Sequence, residues 1–188
     1  MSGVSKLLSD DEVMKIIGGH AKLITYNELG DIDNLDQLFG NKDKIVILYI
    51  NDIDGNSVIG HWTLLTRTQH RGKLIYEFND SYGKMPDEML DSYTNKWRKE
   101  SGQDYNYLTR LLYNASLDPN TEIHYNELPV QMTGDNINTC GRHVAVRGHF
   151  YKIPLTKYQK ILKTFKKEGN NLDEMIVGIS DLLNGSKI

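Results

Sequence analysis

One cysteine, Cys140, stands where a polar loop gives way to a helix, and no other residue is better suited to covalent chemistry. Before it, Asn136 to Thr139 is polar and turn-prone, with Gly134 just upstream. After it, Val144-Ala145-Val146 suits a helix packed inside a domain. A thiol in the first turn of a helix faces unpaired backbone N–H groups and the positive end of the macrodipole. Both favour the thiolate, which is the nucleophile. The plain alternative is a small buried hydrophobe, the usual state of an unpaired cysteine.

A cysteine nucleophile needs a base, an orienter for that base, and donors for an oxyanion. Of six histidines, His61 suits the first task, because it lies within a β-rich run beside Trp62 where a rigid strand can aim it. His143 falls one helical turn beyond Cys140 and would point along the helix rather than across a cleft. His20, His70, His124 and His149 occupy turns or ordinary alternating positions. Asp80 ends the next β-rich run, so a hairpin would bring it to His61; Asn79 is the fallback, since an amide can also orient an imidazole. The same Asn79-Asp80-Ser81-Tyr82-Gly83 segment is also good turn chemistry with no function required. Gln131, in the loop leading to Cys140, could add its amide to the Cys140 backbone N–H as an oxyanion donor.

The elements that must position these residues follow from pattern. Ser9-Asp10-Asp11-Glu12 is a capping box that opens a helix through Ile17, and Gly18-Gly19 stops it. Residues 20–44 are mixed, with one or two helical turns at Leu35, Leu38 and Phe39. Lys44–Ile50, Val58–Arg67 and Leu74–Phe78 read as three strands of an antiparallel meander, joined by turns at Asn51–Asn56 and His70–Lys73. Pro86 to about Glu100 and Tyr105–Ala115 read as helices, and Thr121–Leu128 as a fourth strand. After the cysteine helix, Thr156 caps a helix carrying Tyr158, Ile161, Leu162 and Phe165 on one face, and a last helix runs from Leu172 to Leu183. The expected fold is α+β, a mixed sheet of about four to five strands packed with helices, in one domain over residues 1–188.

Composition narrows the class. A hydrophobic fraction of 39% with 25% charged residues describes a soluble globular chain, and a net charge of −3 gives no global field for nucleic acid or membrane. A lone cysteine cannot form an internal disulfide, which fits a reducing compartment, and Met1–Asp11 lacks the apolar core of a secretion signal. No apolar run is long enough to span a bilayer.

Taken in order, Gly60-His61-Trp62, Phe78-Asn79-Asp80-Ser81-Tyr82-Gly83, Gln131 and Asn138-Thr139-Cys140-Gly141 resemble the adenovirus-type maturation proteases and their relatives, the SUMO-specific proteases. The motifs cover residues 45 to 150. The resemblance implies a papain-like active site with the cysteine last in the chain and at the N-terminus of a central helix. It implies His61 as general base or imidazolium partner, Asp80 as its orienter, Gln131 at the oxyanion, Cys140 as nucleophile, and Trp62 lining a narrow groove that admits glycines. The Cys140-Gly141-Arg142-His143-Val144-Ala145-Val146-Arg147 form looks closest to proteases of virophages, Polinton-like elements and large DNA viruses. For such an enzyme the implied substrates are viral capsid or core precursors, cut at Gly-Gly-x or Gly-x. Its implied location is the virion and the host cytoplasm or viral factory, without secretion, cofactor, metal or membrane. The loop from Gln131 to Cys140 looks slightly longer than the family pattern.

Other readings stay open on the sequence. The same groove would suit a protease that removes ubiquitin-like modifiers, and a capsid-associated structural protein would use Cys140 only as core. A zinc module on Cys140 and His143 lacks the further ligands such sites need. Lys157, Lys160, Lys163 and Lys167 lie near one face of a late helix, either as a solvated surface or as a patch for a DNA or peptide activator. Ile16-Ile17-Gly18-Gly19 is either a glycine helix stop or a self-cleavage site after Gly19.

Overall fold

A computed structural model describes residues 3–54, 57–134 and 137–185. Five strands form one mixed sheet in sequence order: β1 (Ala21–Thr25), β2 (Lys44–Asp54), β3 (Ser57–His70), β4 (Lys73–Asp80) and β5 (Thr121–Tyr125). The expected antiparallel meander is β2-β3-β4, and β1 and β5 flank it as parallel edge strands. Around the sheet lie α1 (Asp10–Ile17), α2 (Leu35–Phe39), α3 (Asn95–Glu100), α4 (Tyr107–Ser116), α5 (Cys140–His149), α6 (Leu155–Lys167) and α7 (Leu172–Gly185). The α+β expectation holds, with Cys140 as the first residue of the buried helix α5.

The unbroken apolar run of β2 has a simple cause: both of its faces are covered. Ile45, Ile47 and Tyr49 join one core with α2 and α4, whereas Val46 and Leu48 join a second core with α1 and α5. The second core contains Val13, Ile16 and Ile17 of α1, Trp62 and Leu64 of β3, and Cys140, Val144 and Ala145 of α5. Each fully buried aliphatic side chain there stabilises the packing by about 1.5–3 kcal/mol. The capping box at Ser9 and Glu12 forms as expected, and Gly18, at φ +77°, ends α1.

Several expected elements differ. The region 20–44 hides β1, whose short alternating sequence is paired by β2 and sits among strong turn signals. Residues 51–54, expected as turn, continue β2; residues 55 and 56 of that expected turn lie outside the described residues. The helix expected from Pro86 to Glu100 is split. Asp87 adopts φ +67°, which a continuing helix forbids, and its buried carboxylate accepts from the Tyr26 hydroxyl and the Thr109 N–H at 2.7 Å each. Only a 3₁₀ turn, Glu88–Ser92, follows, and Thr94 then caps α3 through the Trp97 N–H. The fourth strand stops at Tyr125 rather than Leu128. Pro154, not Thr156, precedes the first turn of α6, so Thr156 lies inside the helix.

Candidate active site

The site begins with a backbone constraint. Gly60 lies opposite Ile50, next to a register shift in the β2–β3 pairing, and a Cβ there would come within 1.8 Å of the Tyr49 carbonyl oxygen. Only glycine lets β3 close on β2 at this point, and His61 follows directly. Strand alternation then places His61, Thr63 and Leu65 on one face and Trp62 and Leu64 on the other. Thr63 pairs with Asp80, the last residue of β4, so Asp80 shares the His61 face one diagonal step away.

His61 Nε2 meets Asp80 Oδ2 at 3.1 Å, with both side chains buried. Asp80 is itself held on all sides. Its Oδ1 accepts from the Tyr82 N–H at 2.7 Å, its N–H donates to Asn126 Oδ1 at 2.8 Å, and its carbonyl accepts from Asn126 Nδ2 at 2.7 Å. Asn79 pairs opposite Leu64 and faces the other side of the sheet, where its amide meets the Glu77 carbonyl at 3.5 Å. The fallback orienter is therefore turned away from His61.

With Nε2 committed to Asp80, the other ring nitrogen of His61 is the one left for Cys140, and the two groups shift one another's titration. Burial opposes charge on both groups. For His61 the burial effect is outweighed by the Asp80 and Cys140 hydrogen bonds and charges, which raise its pKa to about 9. For Cys140 burial pushes the thiol up, but the His61 hydrogen bond and charge, with backbone N–H bonds from Trp62 and Gly141, bring it below its ordinary value. The arrangement favours a thiolate–imidazolium pair.

Thr139, at the N-cap of α5, makes no side-chain cap bond. Its hydroxyl donates instead to Asp173 Oδ1 and so does not fill the first-turn N–H groups of α5, of which that of Gly141 acts on the Cys140 sulfur. Asp173, from the first turn of α7, also meets His143 Nε2 at 3.0 Å through Oδ1 and accepts from the Met132 N–H at 2.9 Å through Oδ2. One buried carboxylate thus ties both ends of the loop before the cysteine to α5. Those three hydrogen bonds outweigh burial and hold the Asp173 carboxyl below its ordinary value. His143 is accordingly turned to Asp173, and among the described residues no group of three or more His, Cys, Asp or Glu could hold a metal.

Gln131 lies beside this assembly, 5% exposed. Its Oε1 accepts from the Ser81 hydroxyl at 2.7 Å, and its Nε2 donates to Tyr82 Oη at 3.2 Å and to the Ile137 carbonyl at 3.4 Å. Residues 135 and 136, part of the polar loop expected before Cys140, lie outside the described residues. Trp62 is buried at 6% exposure, in the same core as Leu8, Val13 and Cys140. The N-terminal segment is tied to the loop two residues before Cys140: the Asn138 N–H donates to the Val4 carbonyl at 2.9 Å, and its Nδ2 to the Ser5 carbonyl at 3.3 Å. Cys140 is left 7% exposed.

The structure thus brings His61, Asp80 and Cys140 together and places Gln131 and Trp62 around them. Asn126 and Asp173 were not singled out in the sequence, and only long-range contacts, at separations of 46, 41 and 34 residues, identify them. Tyr82 could have been found, because it follows Asp80 in the quoted motif.

No model of a described protein family matches the chain. It is 27% identical over 153 residues to the uncharacterized protein V9 of Sputnik virophage, covering 81% of each chain. Among solved structures, an ASFV protease aligns with 77% of this chain at 10% identity and TM-score 0.40, and the chain spans 59% of that protease's length. The SUMO protease Ulp1 aligns with 93% of this chain and 79% of its own at 15% identity and TM-score 0.36. At such scores the site geometry, not the likeness, carries the functional reading.

Proposed function

We propose that this chain is a viral cysteine endopeptidase that processes capsid or core precursor proteins at Gly-Gly-x or Gly-x sites during virion maturation. The carrying observation is the buried relay Asp80–His61–Cys140, with the thiol lowered and the imidazole raised. In it the Cys140 thiolate attacks the scissile carbonyl, His61 protonates the leaving amine, and Asp80 keeps the imidazole oriented and charged. The first-turn N–H groups of α5 and the Gln131 side of the cleft receive the oxyanion. A nucleophile only 7% exposed suits glycine at the cut, where no side chain has to be accommodated beside it. The similarity to a virophage protein supports the viral assignment, and with it action in the virion, host cytoplasm or viral factory.

The lysines Lys157, Lys160, Lys163 and Lys167 are exposed along α6 and would serve a DNA or acidic peptide activator, with binding that weakens as salt rises. No helix among the described residues is long and apolar enough to cross a membrane. The test is co-expression of candidate capsid precursors with wild type and with Cys140→Ala, cut sites being read by mass spectrometry. Cuts after Gly-x or Gly-Gly that need Cys140 are expected. Identical precursor patterns with both forms would leave Cys140 a core residue of a structural protein.

A further inference from the structure

Tyr82 has no task in the mechanism above, yet it stands between its parts. Its ring lies nearly parallel to the His61 imidazole, centroids 4.9 Å apart and planes 22° apart. Its hydroxyl accepts from Gln131 Nε2, and none of the described residues accepts the proton of that hydroxyl. Gln131 is in the opposite condition. Its oxygen is filled by Ser81, and its two amide hydrogens are directed to Tyr82 and to Ile137, whose carbonyl can only accept. Gln131 is buried, whereas Tyr82 is half-buried.

We propose that Tyr82 is a catalytic residue of the Cys140 site: its phenol O–H donates to the oxyanion, and Gln131 holds and polarises that phenol rather than meeting the oxyanion itself. The inference rests on the protease reading and revises the part expected of Gln131. Burial, and then the charges of Cys140, Asp80 and Asp173, push the Tyr82 phenol above its ordinary pKa. It therefore keeps its proton at neutral pH and remains a donor, and its ring is stacked on the imidazole that serves the sulfur. When Sγ bonds to the carbonyl carbon, the π pair moves to oxygen and the phenol shares its proton with that oxyanion. When the C–N bond breaks, the pair returns to the carbonyl and the amine takes its proton from His61. Water then attacks the thioester and gives its proton to His61, the C–S bond breaks, and Cys140 leaves as thiolate. Tyr82 is unchanged at the end of the cycle.

The test compares wild type, Tyr82→Phe, Gln131→Ala and Cys140→Ala on acetyl-Ile-Ile-Gly-Gly-aminomethylcoumarin, alongside alkylation of Cys140 by iodoacetamide across pH. Tyr82→Phe keeps the ring on His61 and removes only the donor, so kcat should fall about 100-fold, with KM changed by less than about threefold. Alkylation, which forms no oxyanion, should keep its wild-type rate and pH profile. Gln131→Ala should lose less, because the phenol remains. Wild-type turnover by Tyr82→Phe would overturn the inference, as would a loss of alkylation equal to its loss of cleavage, which marks a structural role. Wild type that releases no more coumarin than Cys140→Ala would remove the protease reading itself, and the inference with it.

Discussion

Two buried histidine–aspartate pairs flank Cys140, and their geometry is almost the same. His61 meets Asp80 at 3.1 Å and His143 meets Asp173 at 3.0 Å, in each case through Nε2 and with both side chains out of solvent. Their surroundings separate them. His61 is held on a strand, and it is the group that lowers the Cys140 thiol once burial has raised it. His143 shares its helix with Cys140, and its aspartate spends its remaining hydrogen-bonding capacity on Thr139 and Met132. In the proposed mechanism the first pair would perform the acid–base chemistry, while the second ties the loop before Cys140 to α5. A His–Asp distance alone does not mark a catalytic pair: what the remaining acceptors and ring nitrogen touch decides the role.

Substitutions should pull the two pairs apart. His61→Ala removes the base and should lower kcat/KM by about 10⁴-fold, measured on the coumarin peptide. Asp80→Ala should lower it by about 10²–10³-fold and also move the pH profile. His61, raised to about 9, adds stability that is complete below its unfolded pKa of about 6.5 and is lost as pH rises through about 9. Cys140, lowered, adds stability present above its unfolded value of about 8.5 and lost as pH falls through its folded one. Cleavage should therefore plateau between the lowered Cys140 value and about 9, and the alkaline limb should retreat in Asp80→Ala, where the carboxylate that raises His61 is gone.

The second pair should respond in stability first. Asp173→Ala leaves a buried histidine, a hydroxyl and an amide without their acceptor, and should cost about 3 kcal/mol of unfolding free energy in denaturant titration. Its cleavage should fall only about tenfold, through looser presentation of Cys140. An Asp173→Ala enzyme as dead as His61→Ala, yet fully folded, would mean that the second pair also handles protons. Asn79→Ala is the smallest case. Its amide faces away from His61, so activity should hold within about twofold and stability within about 0.5 kcal/mol.

The contact between His61 and Asp80 was legible because its signals are local. A glycine, a histidine and a tryptophan in one strand, and an acid at the end of the next, become neighbours once a hairpin is drawn, and the apolar run 44–50 makes that hairpin hard to miss. Asp173 was not legible: it opens an ordinary-looking helix, and its partners lie 34 and 41 residues back in the chain. β1 escaped because five residues of weak alternation acquire a role only from the strand beside them. The break at Asp87 escaped for a related reason. Its left-handed backbone is held by hydrogen bonds with Tyr26 and Thr109, and no helix propensity reports such contacts.

The central claim is that His61 holds Cys140 as a thiolate, and the rate of Cys140 alkylation by iodoacetamide as a function of pH tests it most directly. Wild type should show a reactive thiolate below the free-cysteine value of about 8.5, and His61→Ala should return the titration to that value or above it. A wild-type thiol that titrates like a free peptide cysteine, and is unmoved by His61→Ala, would contradict the account.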